Sequence, residues 1–362
     1  MSHETVPESP ILGHHQASTR KTPKGTIAIE EAIIDPAGVA SVTEWQTLLS
    51  PSFDPAKPVG AYANRLLDIH GDRLKAMDDE GVEYMLLSLT SPGAQGESDP
   101  EKAANMAIVA NDYLSAECAK NPSRFGAFAA ISMHDAEVAS RELRRAVTEL
   151  GMVGAMLNDF QSVGADGSGK SYFDDSQFHP FWATAQELDV PVYFHPRYKT
   201  KSELEVGTMY GNRKHLLGAA VQFHLDLSFH LYSLISSGVF DRFPKLQIVA
   251  GHMGEGIPFN LWRASHWYNK PMKKPTRPSK EDYTYYFKHN VHITTSGFFS
   301  TEALKFCAAA IGVERCMFSI DYPYDQVKEG MEWWKTVDLP EKEKDLVARG
   351  NAIKLFKLPL EL

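Results

Sequence analysis

Cysteine is scarce in this sequence. The three present, Cys118, Cys307 and Cys316, follow no metal-type spacing, and their odd number gives no disulfide framework, which favours a reducing compartment, the cytoplasm. Long apolar runs are lacking too. None approaches the ~20 residues of a membrane span. Residues 1–25 are polar, rich in Ser, Thr, Pro and Lys, and contain no apolar stretch, so they read as a mobile tail and not as a secretory leader. Basic charge is in deficit: 37 Lys and Arg stand against 46 Asp and Glu, a net charge of −9. That balance argues against a nucleic-acid surface, which normally shows a basic stripe. It does not exclude a small anionic substrate, because a pocket makes its own local field. No internal repeat is present.

What the sequence does have is a recurring alternation. Short β-type runs fall at 26–32, 84–90, 125–132, 153–159, 191–196, 246–252, 291–297 and 317–323. Most are continuous in apolar or small residues, which suits parallel strands buried on both faces. Helical patterns lie between them, at 101–120, at 135–150 behind an Asp135 cap, at 222–239, and at 301–311 behind a Ser300 cap. Eight strands alternating with helices predict one TIM-type (β/α)8 barrel over residues 26–362. A long Pro- and Asp-containing insertion, 33–60, follows the first strand. A second excursion, 159–177, contains GADGSG but lacks the context of a phosphate-binding loop.

Catalytic groups of such barrels sit at the C-terminal ends of the strands. Four predicted strands end in an ionisable residue: Glu30, His195, His252 and Asp321. Glu30, His195 and Asp321 make a divalent-metal set of two carboxylates and one imidazole, suited to Zn, Mn or Mg, with open positions left for a substrate. Ala32 shares the face of Glu30 and cannot ligate; Glu31 points the other way and reads as structural. In GHMGE, Glu255 stands close enough to His252 to orient it and raise its basicity, although the same pair could cap a helix. Arg263, in NLWRASHW, is of the type best matched to a carboxylate. Asn158 either hydrogen-bonds a substrate oxygen or turns a loop.

The segments IAIEEA (27–32), SMHD (132–135), GAMLND (154–159), FHPR (194–197), GVFDRFPKLQIVAGHMGE (238–255), TTSGFFSTEALKFC (294–307), FSIDYPY (318–324) and NAIKLFKLP (351–359) resemble, in order, the non-oxidative aromatic-acid decarboxylases of the amidohydrolase superfamily. The likeness spans roughly residues 26–360, and is nearest to fungal 2,3-dihydroxybenzoate decarboxylase with its salicylate and γ-resorcylate relatives. Hydrolases of that superfamily usually carry His-x-His on the first strand; Glu30 and Ala32 match the decarboxylase pattern instead. The resemblance implies one divalent ion held by Glu30, His195 and Asp321, with no organic cofactor. It implies that His252 and Arg263 face the substrate, that Arg65 reaches a neighbouring subunit's site, and that the chain forms a homodimer or homotetramer. The stretch 221–234, VQFHLDLSFHLYSL, is more polar than its counterpart in that family.

The expected reaction is loss of CO2 from an ortho-hydroxybenzoic acid, with 2,3-dihydroxybenzoate leading. Asp321 protonates the ring carbon, His252 with Glu255 handles the phenolic proton, and Arg263 orients the carboxylate. The rival reading is a metal-dependent hydrolase of the same superfamily, disfavoured by Glu30 and Ala32. A non-catalytic binding protein on the same scaffold is the third.

Overall fold

A computed structural model describes residues 24–49 and 60–362. The tail expected over 1–25 lies outside it up to residue 23, as do residues 50–59 of the long stretch after the first strand.

The described chain is a (β/α)8 barrel. Its staves are β1 (Thr26–Ile33), β2 (Val82–Leu89), a third made of β3 (Phe125–Ala127) and β4 (Ala129–Ala130), then β5 (Ala155–Asn158). An antiparallel hairpin, β6 (Gln161–Val163) with β7 (Gly169–Ser171), leaves the barrel here. The staves β8 (Val192–His195), β9 (Ile248–Ala250), β10 (Val291–Thr294) and β11 (Cys316–Met317) complete it. All pairings among staves are parallel, in the orders β1-β2-β3 and β11-β10-β9-β8-β5-β4. The third stave joins the two groups at Phe128, whose N–H donates to the Leu87 carbonyl at 2.9 Å while the Ala129 N–H turns to Gly154 at 2.8 Å.

Two apolar layers follow from this closure. Ile27, Ile29, Tyr84, Leu86, Phe128, Met156, Tyr193, Val249 and Met317 fill the interior, and the C-terminal helix Asn351–Phe356 packs Ile353 and Phe356 against them. A larger layer lies between the staves and the surrounding helices. Helix starts are set by side chains: Asp99 and Asp135 each accept two backbone N–H groups, and Ser300 accepts that of Ala303. The expected helices at 101–120, 135–150 and 301–311 are thus present as Pro100–Lys120, Ala136–Thr148 and Thr301–Ile311, whereas the one expected over 222–239 ends at Ser236 and restarts at Val239. The stretch 33–60 contains the helix Val39–Leu49, and the helix Gly60–Leu67 starts at its end.

The last and first staves are joined by side chains as much as by backbone. The pairing of β1 with β2 slips between Ala28 and Glu31, a bulge. At that bulge the N–H groups of Ile29 and Glu30 both donate to the Ser319 hydroxyl, at 3.0 and 2.8 Å. The hydroxyl in turn donates to the Glu31 carboxylate at 2.9 Å, which also accepts the N–H groups of Ile320 (3.1 Å) and Tyr322 (2.9 Å). Glu31 is fully buried, and burial pushes its carboxyl up to about 8 against those three donors and the nearby Arg73. The bulge sends consecutive carboxylates opposite ways: Glu31 clasps the last stave, and Glu30 faces the Tyr193 hydroxyl inside the barrel. Replacing Glu31 with Ala strands two backbone N–H groups and a hydroxyl, so Glu31→Ala should lower unfolding free energy by roughly 3 kcal/mol. Denaturant titration checks this, and a loss below about 1 kcal/mol would mean that the clasp is dispensable.

Candidate active site and metal centre

At the mouth, Glu30 is held by one oxygen and bare at the other. Its Oε2 accepts the Tyr193 hydroxyl, which also lies 2.8 Å from Thr294 Oγ1; Thr294 itself reaches Oε2 at 3.4 Å. Its Oε1 is buried with no hydrogen-bond partner, an arrangement that costs about 1–3 kcal/mol or more unless a cation compensates it. Two imidazole nitrogens face that oxygen: His195 Nε2 at 3.4 Å and His252 Nε2 at 3.5 Å. Asp321 Oδ2 is 3.8 Å from the same His252 nitrogen. Donors sharing an ion at about 2.1 Å stand roughly 3.0–3.4 Å apart, so these gaps close around one ion with small adjustment.

The outer nitrogens orient the rings. His195 Nδ1 lies 2.6 Å from the Pro196 carbonyl and His252 Nδ1 lies 2.7 Å from Glu255 Oε1. Each Nδ1 therefore carries the proton when the ring is neutral, and each Nε2 turns a lone pair toward Glu30. Burial opposes charge on His252, but Glu30, Glu255 and Asp321 outweigh it and hold the imidazole well above the usual histidine range. Burial also pushes Asp321 up to about 6, His252 pulling it down and Glu30 up, and it raises Glu255. A divalent cation in the pocket pulls all three down.

The backbone that presents these groups is strained. His252 (φ 50), Met253 (φ 57), Gly254 (φ 72), Glu255 (φ 55) and Gly256 (φ 71) form a left-handed turn just past β9. Each non-glycine residue there costs about 1–2 kcal/mol. Asp321 is also left-handed, at φ 79. Gly251 permits the close approach: a Cβ there would stand 2.6 Å from Glu30 Oε2.

Glu30, His195, His252, Glu255 and Asp321 thus converge. The tightest potential metal group among the described residues is Glu30, His195 and His252; Asp321 stands one step out, next to His252. Neither His252 nor Asp321 ends a strand as expected, because β9 stops at Ala250 and β11 at Met317, and irregular backbone carries both. Asn158 is in register with His195, but its amide donates to the Pro92 carbonyl at 3.1 Å and its backbone is locked to Gln95, so it reads as part of the wall. Arg65 lies at the rim, over the ring of Tyr62, which stacks on Tyr324.

Arg263 corrects an expectation. Within one chain it does not reach the mouth: it is exposed about two turns along the helix Ile257–Tyr268 and borders an outer groove with Tyr232, Asn260, Trp267 and Lys273. The reason is phase. The turn at His252–Gly256 starts the helix so that Ile257, Leu261 and Ser265 face inward, leaving Trp262 and Arg263 outward. Sequence reasoning missed Tyr193 and Thr294. Tyr193 was accessible, two residues before His195 and so on the same strand face; Thr294 becomes visible only once β10 is placed beside β9.

The barrel and a mouth of carboxylates and imidazoles around one bare oxygen define a metal-dependent (β/α)8 enzyme, and a divalent metal fits the donor set. The amidohydrolase family profile matches residues 45–358, and the chain belongs to that family. It is 40% identical over 334 residues to γ-resorcylate decarboxylase of Rhizobium sp. (strain MTP-10005), covering 91% of this chain and 96% of that protein. A crystal structure of 2,6-dihydroxybenzoate decarboxylase complexed with 2,6-dihydroxybenzoate superposes with TM-score 0.85 at 39% identity, covering 92% of this chain and all of that one. A dihydroxybenzoic acid decarboxylase from Polaromonas sp. JS666, with bound manganese and the inhibitor 2-nitroresorcinol, gives TM-score 0.84 at 37% identity, covering 93% and 98%.

Because the buried Glu30 Oε1 accepts no hydrogen bond, adding Mn²⁺ to chelator-treated protein should raise its Tm by several degrees, and Glu30→Gln should remove most of that rise. An equal rise in both proteins would place the ion elsewhere.

Proposed function

We propose that this chain is a carboxy-lyase: a metal-dependent aromatic-acid decarboxylase of the resorcylate and salicylate type. The observation that carries the reading is the bare, buried oxygen of Glu30, set between two imidazoles and beside Asp321, in a chain so similar to decarboxylases of dihydroxybenzoates. Glu30, His195 and Asp321 would hold the ion, leaving the His252 Nε2 beside it for the substrate. When bound, a divalent ion supplies the positive charge that steadies the substrate's phenolic and carboxylate oxygens.

The chain's own groups do the rest. His252 takes the phenolic proton at Nε2, its charge balanced by Glu255 behind Nδ1. Asp321 delivers a proton to the ring carbon bearing the carboxylate, so no free aryl anion forms. The carbon–carboxylate bond then breaks, its electron pair restores aromaticity, CO2 departs, His252 returns the proton to the phenolic oxygen, and Asp321 takes up a proton from solvent before the next turnover. Tyr62 and Tyr324, stacked 6.0 Å apart at the rim, give the ring aromatic walls. The reaction should reverse in high bicarbonate. The substrate is an ortho-hydroxybenzoate. 2,3-Dihydroxybenzoate is one reading, and the 40% identity to γ-resorcylate decarboxylase favours the 2,6-dihydroxy acid as the other.

The chain works in this reading as a cytoplasmic homo-oligomer, dimer or tetramer. Phe259 is 78% and Trp262 73% exposed on one helix, with Phe306 beside Phe259 on the next, an aromatic face of the kind that oligomers cover. Arg263 sits in that face without an ion pair among the described residues, while the mouth is acidic. A second copy seated there would let Arg263 serve the neighbouring site, and Arg65 likewise reaches across.

In a CO2-release assay on 2,3- and 2,6-dihydroxybenzoate and salicylate with Mn²⁺, Zn²⁺ or Mg²⁺, Asp321→Asn should lose roughly 10³-fold in kcat while keeping its Tm, and His252→Ala roughly 10²-fold or more. Near-normal turnover by Asp321→Asn would refute its role, and lactone hydrolysis without CO2 release would favour the hydrolase. Inactive Arg263→Ala and Asp321→Asn proteins should regain activity when mixed and reassembled. Failure to regain it would leave Arg263 without a role in a neighbour's site.

A further inference from the structure

The two oxygens of the Glu30 carboxylate meet different surroundings, and two residues that take no part in the reaction make the difference. Tyr193, on β8, donates its hydroxyl proton to Glu30 Oε2. Thr294, the last residue of β10, stands behind it, with Oγ1 2.8 Å from the Tyr193 oxygen and 3.4 Å from Oε2. The Tyr193 proton goes to Glu30, so the Thr294 hydroxyl donates to the Tyr193 oxygen at the shorter distance. The two hydroxyls form a chain that ends on one carboxylate oxygen. On another flank Gly251 closes in, since a Cβ there would lie 2.6 Å from Oε2.

This chain cannot swing aside. Tyr193 and Thr294 are fully buried, and the Tyr193 ring packs against Phe128 with centroids 5.6 Å apart. Oε1, by contrast, is buried and accepts nothing. The neighbouring Glu31 shows what a structural carboxylate does here: both of its oxygens accept hydrogen bonds. Glu30 has one oxygen tied and one presented to the space between His195 and His252.

We propose that Tyr193 and Thr294 are positioning residues that hold Glu30 to a single-oxygen ligand, and that they thereby select a compact divalent ion of the manganese or zinc type over calcium. The inference rests on the metal centre described above and goes beyond it in assigning what sets its ion preference. Calcium gathers roughly six to eight oxygens and gains from a carboxylate that offers both of its own. Compact ions are served by fewer donors and by an imidazole nitrogen, which His195 supplies. Tying Oε2 to Tyr193 denies calcium its second oxygen. It also leaves more of the ion's surface for a substrate that brings two oxygens.

The test measures binding of the ions alone to chelator-treated, full-length protein. Free Mn²⁺ is read by its paramagnetic resonance signal, with Ca²⁺ added as competitor. Tyr193→Phe removes only the hydroxyl. It should weaken Mn²⁺ binding by about 10–100-fold, and Ca²⁺ binding much less, so that the preference for Mn²⁺ falls by about tenfold or more. Thr294→Val, of nearly equal volume, should shift the preference the same way by about threefold or more, while Thr294→Ser should stay within about twofold of the wild type. Tm of the metal-free proteins confirms that each is folded, and the Thr294 pair carries the test if Tyr193→Phe is not. Equal weakening of both ions would mean that the hydroxyls serve only the fold. That result, no change in either ion, or a Thr294→Ser protein that behaves like Thr294→Val would overturn the proposal while leaving the metal centre intact. No Mn²⁺ binding by the folded wild type would overturn both.

Discussion

The buried Glu31 carboxylate decides where everything at the mouth stands. It accepts the N–H groups of Ile320 and Tyr322 and the hydroxyl of Ser319, and that hydroxyl accepts the two N–H groups of the β1 bulge. Five hydrogen bonds thus join the first stave to the segment after the last. Asp321 lies between two residues that Glu31 grips, and Glu30 is its chain neighbour. The separation of Glu30 from Asp321 is therefore fixed by a network on the opposite side of the backbone from the metal. Burial still raises this carboxyl to about 8, the donors and Arg73 offsetting it only in part.

Strain is concentrated where chemistry is expected. Three non-glycine residues of the turn after β9 and Asp321 itself adopt positive φ, which the chain tolerates only because the surroundings over-determine them. The Gly251 approach to Glu30, the His252–Glu255 bond and the packing of Met253 hold the turn. The outcome is a set of lone pairs and one bare carboxylate oxygen aimed at a common point, in an interior where water cannot compensate. Such a site attracts a divalent ion strongly and leaves positions open for a ligand with oxygens of its own.

Much of this was legible in the sequence, for definite reasons. Continuous apolar runs marked the staves, and Asp or Ser ahead of helical patterns marked helix starts. Glu30, His195, His252 and Asp321 stood out because each is polar after an apolar run. Other features were not legible. The bulge at Ile29–Glu30 depends on Ser319, far away in the chain; it puts Glu30 on the interior side already held by Ile29, where alternation counted from Ile27 would put Glu31. The left-handed turn gives no periodic signal, so Arg263 could not be assigned a direction, and the helix phase turned it outward. The hairpin at 161–171 is held by a buried network, with Gln161 bonded to Gln95, Glu97 and His134, which no local pattern reveals.

The central claim is that one cation is shared by Glu30, His195 and Asp321, with His252 adjoining. Anomalous diffraction from crystals grown with Mn²⁺ measures this directly. One peak about 2.1 Å from Glu30 Oε1, His195 Nε2 and an Asp321 oxygen is expected. A peak elsewhere, or no peak in crystals grown with excess Mn²⁺, would contradict it.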